Sequence, residues 1–369
     1  MLKLKFEDKK ARVGIFETRS GKIETPFFMP VATSLNVRLI SPKDLDNLNV
    51  KAVISNALLL YLRPGLEMVD KFKGIHKLMN FDKIIFTDSG GFQMISEDLL
   101  IEINEKKAKF KDPYSGRVVE MNPEKNMEIQ ERLGSDVAMC LDYMPRYKDS
   151  LETIKKSVKL TYEWGKRCKE AHKDNKQKLF GIVQGGIDKN LRKKSAELMT
   201  SLDFDGYSIG GLAIGESRNE LKLAVDSAVK YLPKDKIRYL MGVGSIPEIL
   251  ENIGKGVDCF DSCYATRHAR HAVAFTSKGE IRLEKAKHRE DFKPIEEGCE
   301  CEVCENYSRA YIHYLIKIHD YSWKRLVSMH NIKFIQDLLE KAKTEIKENN
   351  FEKFKKDYLL RFSGLNSQS

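Results

Sequence analysis

Short hydrophobic runs recur along the chain, and each ends at a small or polar residue. The eight runs are Phe27–Ala32, Ala52–Ser55, Lys83–Thr87, Val137–Leu141, Leu179–Val183, Tyr207–Ile209, Arg238–Met241 and Val257–Phe260. Between several of these runs lie segments whose apolar residues have helical spacing, as in Ser150–Lys173, Asn190–Ser201 and Glu216–Tyr231. Strands that alternate with helices indicate parallel pairing with crossover helices. The pattern predicts an α/β fold, a closed (β/α)8 barrel. An open doubly wound sheet is the alternative, but no G-x-G-x-x-G follows the first strand.

Polar and small residues follow these runs at equivalent positions. They are Thr33, Asn56, Asp88, Asp142, Gln184, Gly210, Gly211, Gly242 and Asp261. In a barrel all of them line the mouth at the carboxyl ends of the strands, where active sites are built. Residues at strand ends are often polar simply because the loops that follow are exposed to water. Three aspartates and one glutamine at equivalent strand ends are more polar residues than this exposure alone would explain.

Two segments interrupt the alternation. Residues 97–121 contain Asp-Pro-Tyr-Ser-Gly-Arg, a turn between alternating strands, which predicts a hairpin flap. Residues 285–330 lose the barrel pattern and precede an amphipathic helix expected to begin near Asn331. We therefore expect a barrel over 1–284, with N-terminal strands and the hairpin, a metal-binding subdomain over 285–330, and C-terminal helices over 331–369 that pack on the barrel.

A cysteine cluster stands out in the second interruption. Cys299, Cys301 and Cys304 lie within six residues, and His330 follows in Ser-Met-His-Asn. Three thiolates and an imidazole complete a tetrahedral zinc shell without an open position, which predicts one structural Zn²⁺ rather than a catalytic metal. The alternative is a set of reduced surface thiols beside a capping histidine.

A zinc deaminase motif is a second interpretation of this region. His288-Arg-Glu290 precedes Cys301-x-x-Cys304, as in the deaminase signature. The proline before the first cysteine is missing and the interval is short. Deamination is therefore disfavoured.

Composition and charge restrict the class of protein. The chain has 369 residues, 41% of them hydrophobic, and an odd number of cysteines, seven, without extracellular spacing. The charged N-terminus is not a signal peptide, and no apolar run approaches the ~20 residues that span a bilayer, so we expect a cytoplasmic protein without membrane contact. Sixty-four basic against 54 acidic residues give a net charge of +10, which weakly favours a polyanion partner.

Two aspartates at predicted strand ends are candidates for chemistry. Asp88 begins Asp-Ser-Gly-Gly-Phe-Gln, where the glycines allow close approach to a ligand and Phe92 can stack on a planar ring. Asp261 precedes a basic stretch with Arg267 and Arg270, which can hold phosphates and keep a carboxylate ionised. An ionised aspartate can attack an anomeric carbon. A tight Asx turn and surface salt bridges are the plainer interpretations.

The residues that follow the other strands have the hydrogen-bonding groups needed to bind the edge of a purine base. The Asp142 carboxylate accepts two N–H groups of a guanine-like base, and Gln184 offers one donor and one acceptor. Exposed backbone at Gly210 and Gly211 completes such a pocket. Taken alone, Val-Gln-Gly-Gly is weak evidence.

Taken together, these motifs place the chain by resemblance. It resembles the queuine tRNA-ribosyltransferases, or tRNA-guanine transglycosylases, from Thr25 almost to the C-terminus. The markers, in family order, are Thr87–Gln93, Gly181–Gly186, Ile209–Glu216, Tyr239–Gly244, Phe260-Asp261, Thr266–Arg270 and the cysteine–histidine quartet.

The resemblance implies a (β/α)8 barrel with a zinc subdomain and base exchange at the wobble position of tRNA. It implies that Asp261 is the nucleophile and Asp88 the general acid/base. The implied base-site residues are Ser89, Phe92, Asp142, Gln184, Gly211, Leu212 and Met241, and the implied RNA contacts are Gly242, Gly244, Glu248, Thr266, Arg267 and Arg270. The implied partners are tRNAs with GUN anticodons (for aspartate, asparagine, histidine and tyrosine), a 7-deazaguanine base and a second copy of the chain in a homodimer. A non-catalytic tRNA-binding subunit and a base-releasing hydrolase are the alternatives.

Departures from the family pattern affect the expected base. Tyr143-Met144 replaces the Glu-Cys usual in bacterial members, while Ser262–Ala265 and His271-Ala272 also differ. Eukaryotic members, which take queuine, carry small residues where this chain has Ala213-Ile214. Because Ile214 is bulky, we expect the precursor 7-aminomethyl-7-deazaguanine; flexible Met144 keeps queuine as the alternative.

Overall fold

The computed structural model describes residues 2–91 and 99–363. Its strands are β1 (Leu2–Asp8), β2 (Ala11–Thr18), β3 (Gly21–Glu24), β4 (Phe27–Pro30), β5 (Ala52–Asn56), β6 (Ile84–Asp88), β7 (Leu100–Ile103), β8 (Ala108–Lys111), β9 (Val118–Met121), β10 (Val137–Met139), β11 (Lys178–Val183), β12 (Gly206–Ile209), β13 (Ile237–Leu240), β14 (Cys259–Ser262), β15 (Val273–Thr276) and β16 (Gly279–Arg282).

Helices flank most of these strands. They are α1 (Pro42–Asn47), α2 (Ala57–Leu62), α3 (Leu66–Lys71), α4 (Ile75–Met79), α5 (Pro123–Leu133), α6 (Leu151–Ala171), α7 (Lys189–Thr200), α8 (Arg218–Val229), α9 (Ile246–Ile253), α10 (Tyr264–Ala269), α11 (Glu302–Asn306), α12 (Arg309–Lys317), α13 (Ser322–Lys347) and α14 (Phe351–Ser363), with a 3-10 turn at Ala286–His288. No helix in 2–91 or 99–363 has the length and apolarity needed to cross a membrane.

Eight parallel strands form the central sheet, in the order β4-β14-β13-β12-β11-β10-β6-β5. The first and last strands meet through a bridge between Val31 and Ile54, where the Ala32 amide donates to the Ile54 carbonyl at 2.7 Å. The sheet therefore nearly closes into a barrel. The α/β barrel prediction is confirmed, and all eight predicted strands are present within a few residues of their expected bounds.

Aromatic side chains fill the barrel interior. Phe86 lies at the centre, with ring centroids 6.3 Å from Phe16, 5.8 Å from Phe180 and 6.1 Å from Tyr239. Phe16 comes from the antiparallel sheet β1-β2-β3, which places it against the barrel core. This packed layer supports the polar residues at the mouth, because protein interiors tolerate few voids.

The insertion over 97–121 differs from the expected hairpin. Its described part is a three-stranded antiparallel sheet, β7-β8-β9, with the predicted turn between β8 and β9. Leu100–Ile103 adds the third strand by pairing with β8. The Trp164 indole donates to the Glu105 carbonyl at 2.9 Å and attaches this sheet to α6.

The last long helix also differs from its expected start. Helix α13 begins at Ser322 rather than near Asn331, because the apolar stripe already starts at Trp323 and Leu326, which are buried. His330 therefore lies inside the helix and not in the segment before it. Helix α13 packs on the barrel strand β4 and on β1 and β2.

Candidate active site

Asp88 ends β6 at the barrel mouth, and two donors hold its carboxylate. The Gly90 amide donates to its Oδ1 at 2.9 Å, and the Asn56 side chain donates from the facing position on β5. Asn56 accepts the Leu59 amide at 2.8 Å through its own Oδ1 and so caps α2. Because the amide oxygen is used for the cap, the amide nitrogen is directed at Asp88.

Burial and the nearby charges of Asp261 and Asp142 together raise the pKa of Asp88 to about 7, although hydrogen bonds from Gly90 and Asn56 oppose the rise. A carboxyl group with such a pKa can both donate and accept a proton near neutral pH. Perturbed pKa values of this kind concentrate at functional sites.

Asp261 lies in β14, and its Oδ1 accepts two hydrogen bonds. The Tyr239 hydroxyl donates at 2.6 Å and the Gly242 amide at 2.8 Å. Burial raises the pKa of Asp261, and these two bonds oppose the rise. Burial also raises the pKa of Tyr239 well above its usual value, so its hydroxyl stays protonated as a donor. No hydrogen bond from the described residues reaches Oδ2, so this oxygen is free to contact a ligand.

Asp142, Gln184 and Ser89 form a buried polar group between these aspartates and β11. Ser89 Oγ donates to Asp142 Oδ1 at 3.1 Å, and Gln184 Nε2 donates to Oδ2 at 2.6 Å. Burial raises the pKa of Asp142 to about 6. Gln184 Oε1 is buried and has no hydrogen-bond partner among the described residues. A buried acceptor without a donor is costly, so a ligand N–H at this oxygen would be stabilising.

The backbone of Gly211 approaches this oxygen closely. Its φ is +65°, a conformation that favours glycine, and a Cβ there would lie 2.4 Å from Gln184 Oε1. Gly91 approaches the other side, where a Cβ would lie 2.6 Å from Asp142 Oδ1. Backbone and two polar side chains, those of Asp142 and Gln184, therefore lie close together here.

Sequence reasoning missed Arg192, which supports the backbone around Gly211. The guanidinium is fully buried and donates to the carbonyls of Gly186 at 2.6 Å, Val183 at 2.9 Å, Gly210 at 2.8 Å and Gly211 at 3.3 Å. Burial lowers the pKa of Arg192 to about 9. Its neighbours in Lys-Asn-Leu-Arg-Lys-Lys are mostly exposed, so nothing in the sequence distinguished it from a solvated cation.

Two other predicted base-site residues lie close to Gly210 and Gly211. Leu212 is buried, and Met241 is half-buried with its sulfur 3.6 Å from the Cβ position of Gly210. Phe92 lies outside the described residues. Glu216 accepts the amides of Ala213 at 2.5 Å and Ile214 at 3.0 Å and so fixes the loop after β12.

The predicted RNA contacts fall into two groups. Gly242, Gly244 and Glu248 follow β13, and Thr266, Arg267 and Arg270 lie in or after α10. Glu248 accepts the Ser245 hydroxyl at 2.6 Å, and a Cβ on Gly244 would lie 2.4 Å from that of Ser262.

Of the second group, only Arg267 is exposed. Thr266 is buried and donates to the Cys263 carbonyl at 3.2 Å, and Arg270 donates to the Thr266 carbonyl at 3.0 Å. Burial lowers the pKa of Arg270, as do the nearby charges of Arg38 and Arg267, so three guanidinium groups lie together. Arg38 was not predicted, because it lies far away in the sequence.

The cysteine–histidine quartet is assembled away from this mouth. The ligand atoms of Cys299, Cys301, Cys304 and His330 all lie within 4.8 Å of one another. His330 Nδ1 lies 3.9, 3.6 and 3.3 Å from the three sulfurs. This set can hold a metal ion, and three thiols with an imidazole fit zinc.

Groups around the cluster orient its ligands. His330 Nε2 lies 2.8 Å from the Phe275 carbonyl, so this nitrogen carries the proton and Nδ1 is left to bind metal. Hydrogen bonds from the Cys299 and Cys304 thiols lower the pKa of Cys301, which favours the thiolate that a metal needs. His288 is not one of the four clustered residues. Its Nδ1 lies 3.1 Å from an Asp291 carboxylate oxygen instead.

Comparison with known proteins adds an independent finding. The sequence profile described as queuine tRNA-ribosyltransferase matches residues 7–363. Proteins named queuine tRNA-ribosyltransferase are similar along nearly their whole length. The relative from Thermoanaerobacter sp. (strain X514) is 44% identical over 353 residues, 95% of this chain and 94% of the relative. The relative from Thermotoga neapolitana is 44% identical, over 94% of this chain and 94% of the relative. The relative from Bacillus velezensis is 42% identical, over 95% of this chain and 93% of the relative.

Proposed function

Since this chain belongs to the queuine tRNA-ribosyltransferase family, a family of pentosyltransferases, we propose that it exchanges the wobble-position guanine of tRNA for 7-aminomethyl-7-deazaguanine. One observation carries the proposal. Asp261, which has two hydrogen-bond donors on one carboxylate oxygen, lies beside Asp88, whose pKa is about 7. Both aspartates border a pocket in which the Gln184 side-chain oxygen has no donor among the described residues.

In the first half of the reaction, Asp261 Oδ2 attacks C1′ of the ribose. The C1′–O bond forms as the C1′–N glycosidic bond breaks, and the bonding electron pair leaves with guanine. Protonated Asp88 supplies a proton to the departing base, which makes it a better leaving group. The product is an ester-like link between the RNA and Asp261.

The second half reverses these steps with a different base. Ionised Asp88 accepts a proton from the incoming base, whose nitrogen attacks C1′ as the bond to Asp261 breaks. One glycosidic bond replaces another, so the exchange needs no ATP. Exclusion of water is essential, because hydrolysis would leave an abasic nucleotide.

The pocket supports the assignment of the base contacts. Asp142, held by Ser89, accepts N–H groups of the base, and Gln184 and the backbone at Gly211 and Leu212 take the remaining edge. Met241 lies against one face of the ring, and the family resemblance assigns the other face to Phe92, which is outside the described residues. The RNA contacts are Gly242, Gly244, Glu248, Thr266, Arg267 and Arg270.

Family membership supports the proposed partners. The RNA substrates are tRNAs with GUN anticodons, those for aspartate, asparagine, histidine and tyrosine, and the enzyme acts as a homodimer. One Zn²⁺ at Cys299, Cys301, Cys304 and His330 stabilises the fold. A filled four-ligand shell has no position for substrate, so this metal supplies no chemistry.

The small precursor base is favoured over queuine by the loop after β12. Ile214 is half-buried and is fixed by Glu216, and Met144 Cγ lies 3.6 Å from the Cβ position of Gly211. These side chains narrow the pocket beside the base. Competition between queuine and the aminomethyl precursor for insertion into unmodified tRNA tests this choice, and we expect the precursor to be inserted preferentially. Preferential insertion of queuine would reverse the assignment.

Incubation of the purified protein with labelled guanine and tRNA tests the proposed reaction. Incorporation of label supports exchange, abasic RNA indicates a hydrolase, and the absence of both indicates a tRNA-binding subunit. Asp261→Asn is expected to abolish the RNA–protein adduct on a denaturing gel while tRNA binding is largely retained. An adduct that survives this substitution overturns the nucleophile assignment.

A further inference from the structure

A fully buried amide, Asn331, joins three separate backbone segments. Its Oδ1 accepts the Phe275 amide at 3.0 Å, while its Nδ2 donates to the carbonyls of Ala265 at 3.1 Å and Val273 at 3.0 Å. Both N–H groups and the oxygen are thus used. An asparagine is the side chain of this length that offers two donors and one acceptor.

The three segments are α10, β15 and α13 itself. Ala265 lies in α10, the helix that contains Thr266 and Arg267, and Val273 and Phe275 lie in β15. Asn331 itself lies in α13, directly after the metal-ligand candidate His330, whose Nε2 contacts the Phe275 carbonyl at 2.8 Å. Two adjacent residues of one helix therefore bind both backbone polar groups of Phe275.

Aromatic rings reinforce the same connection. The Phe275 ring lies 6.4 Å from Phe334 of α13 and 5.8 Å from Tyr264 of α10, and Tyr264 stacks on His268 at 3.7 Å. The packed contacts thus run without interruption from α13 through β15 to α10. Contacts of this kind transmit position because packed interiors deform little.

We propose that Asn331 is a positioning residue that fixes α10 to the metal-bearing helix α13, so that RNA affinity depends on a side chain remote from the RNA. This inference rests on the proposed function, because it assigns RNA contact to Arg267 and Arg270. Asn331 touches neither base nor reacting atoms. Its loss therefore weakens RNA binding without changing the base pocket or the two catalytic aspartates.

Asn331→Asp tests the link, because it keeps an acceptor for the Phe275 amide and turns a carboxylate toward the Ala265 and Val273 carbonyls. We expect the Kd for an RNA stem-loop with the target anticodon to rise about tenfold, while kcat at saturating RNA and the Kd for free 7-aminomethyl-7-deazaguanine change less than about twofold. Should the carboxylate prevent folding, Asn331→Ala removes all three bonds without adding a charge.

Ser328→Ala is the matched control. Ser328 is fully buried in the same helix, but within the described part of the chain its hydroxyl bonds only the Lys324 carbonyl, at 2.7 Å. This variant is expected to retain the RNA affinity of the wild type. An unchanged RNA Kd in a folded Asn331 variant, or an equal loss of base affinity, overturns the proposal.

Hydrogen exchange gives a readout that does not depend on the proposed function. The Arg267 amide donates to the Cys263 carbonyl at 2.8 Å and the Arg270 amide to the Thr266 carbonyl at 3.1 Å. Both amides are expected to exchange faster in the Asn331 variant than in the wild type or in Ser328→Ala. If the wild type neither binds RNA nor exchanges guanine, the proposed function fails while this result still decides the link. Unchanged exchange at both amides contradicts the link even where RNA affinity falls.

Discussion

The Tyr239 hydroxyl donates a 2.6 Å hydrogen bond to Asp261 Oδ1 from the packed interior of the barrel. The Tyr239 ring belongs to the aromatic layer around Phe86, so the core of the barrel holds the candidate nucleophile in place. Tyr239 and the Gly242 amide both bond Oδ1, so among the described residues no hydrogen bond occupies Oδ2. The Tyr239 side chain therefore belongs to the packed core of the barrel and also orients Asp261.

Tyr239→Phe should shift the acid limb of the rate profile to higher pH. The hydrogen bond from Tyr239 lowers the pKa of Asp261, so its loss raises that pKa and protonates the nucleophile at a higher pH. We expect kcat/KM at pH 6 to fall by about tenfold or more, since the bond is made to a charged group, with a smaller loss at pH 8.

Tyr207→Phe serves as the control for Tyr239→Phe. Tyr207 is also a fully buried tyrosine, in β12, but its hydroxyl accepts the Phe204 amide at 3.1 Å, away from the mouth. Identical pH profiles for wild type and Tyr239→Phe would show that the hydroxyl does not act on Asp261.

The rate of single-turnover guanine release should fall as the pH rises through about 7, which gives the pH–rate profile a basic limb set by Asp88. The acid must be protonated to help the base leave, and its pKa of about 7 means that the proton is lost as the pH rises through neutrality. Asn56→Ala removes a hydrogen bond that lowers this pKa, so the limb should move to higher pH. Measurement of guanine release between pH 5.5 and 9 locates it.

Asn122→Ala separates this electrostatic effect from helix capping. Asn122 caps α5 by accepting the Lys125 amide at 2.8 Å, just as Asn56 caps α2. Each substitution should lower the free energy of unfolding by about 1 kcal/mol, but only Asn56→Ala should move the limb. A limb that stays in place in Asn56→Ala would contradict the assignment of the limb to Asp88.

Arg192→Lys should weaken base binding, although Arg192 makes no contact with the base edge. A lysine cannot reproduce the forked donors that hold the carbonyls of Gly186, Gly210 and Gly211. We expect the KM for the incoming base to rise by about tenfold and the free energy of unfolding to fall by about 2 kcal/mol. Base titration and thermal unfolding measure the two effects.

Lys194→Ala is the control on the same helix, because Lys194 is exposed. Neither the KM for the base nor the melting temperature should change in this variant. A base KM in Arg192→Lys equal to that of wild type would show that the pocket loops hold their shape without the guanidinium.

Cys301→Ser should release the metal and destabilise the fold. Structural zinc contributes folding free energy directly, so its loss should lower Tm by roughly 5–10 °C in a chain of this size. Metal analysis and thermal unfolding measure both. Cys263→Ser, which changes a half-buried cysteine outside the cluster, should keep the metal. A metal-free Cys301→Ser protein with unaltered Tm would refute the structural function.

Arg267→Ala should weaken tRNA binding and reduce its salt dependence. Each phosphate contact contributes about −0.7 to the slope of log K against log salt for single-stranded RNA, so the slope should become shallower by about that amount. Arg132→Ala, which changes an outer-helix residue paired with Asp70, should leave the slope unchanged. An unaltered slope in Arg267→Ala would place this side chain away from the RNA.

Much of the site could be predicted because its residues occupy equivalent positions in a repeated pattern. Asp88, Asp142, Gln184 and Asp261 each follow a hydrophobic run, and in a parallel barrel all such ends meet at one mouth. The metal quartet could be predicted because three of its ligands are close in sequence. Local spacing and hydrophobic periodicity were sufficient for both inferences.

Only the tertiary structure identified the residues that hold the site in place. Tyr239, Arg192 and Asn331 look like ordinary strand or helix residues, and their importance comes from carbonyls and carboxylates contributed by other elements. The start of α13 and the third strand of the inserted sheet were likewise decided by packing. The sequence by itself therefore determined the barrel, the acidic mouth and the candidate metal ligands, because periodicity and spacing are local properties. Long-range hydrogen bonds decided the rest, since their partners are adjacent only after folding.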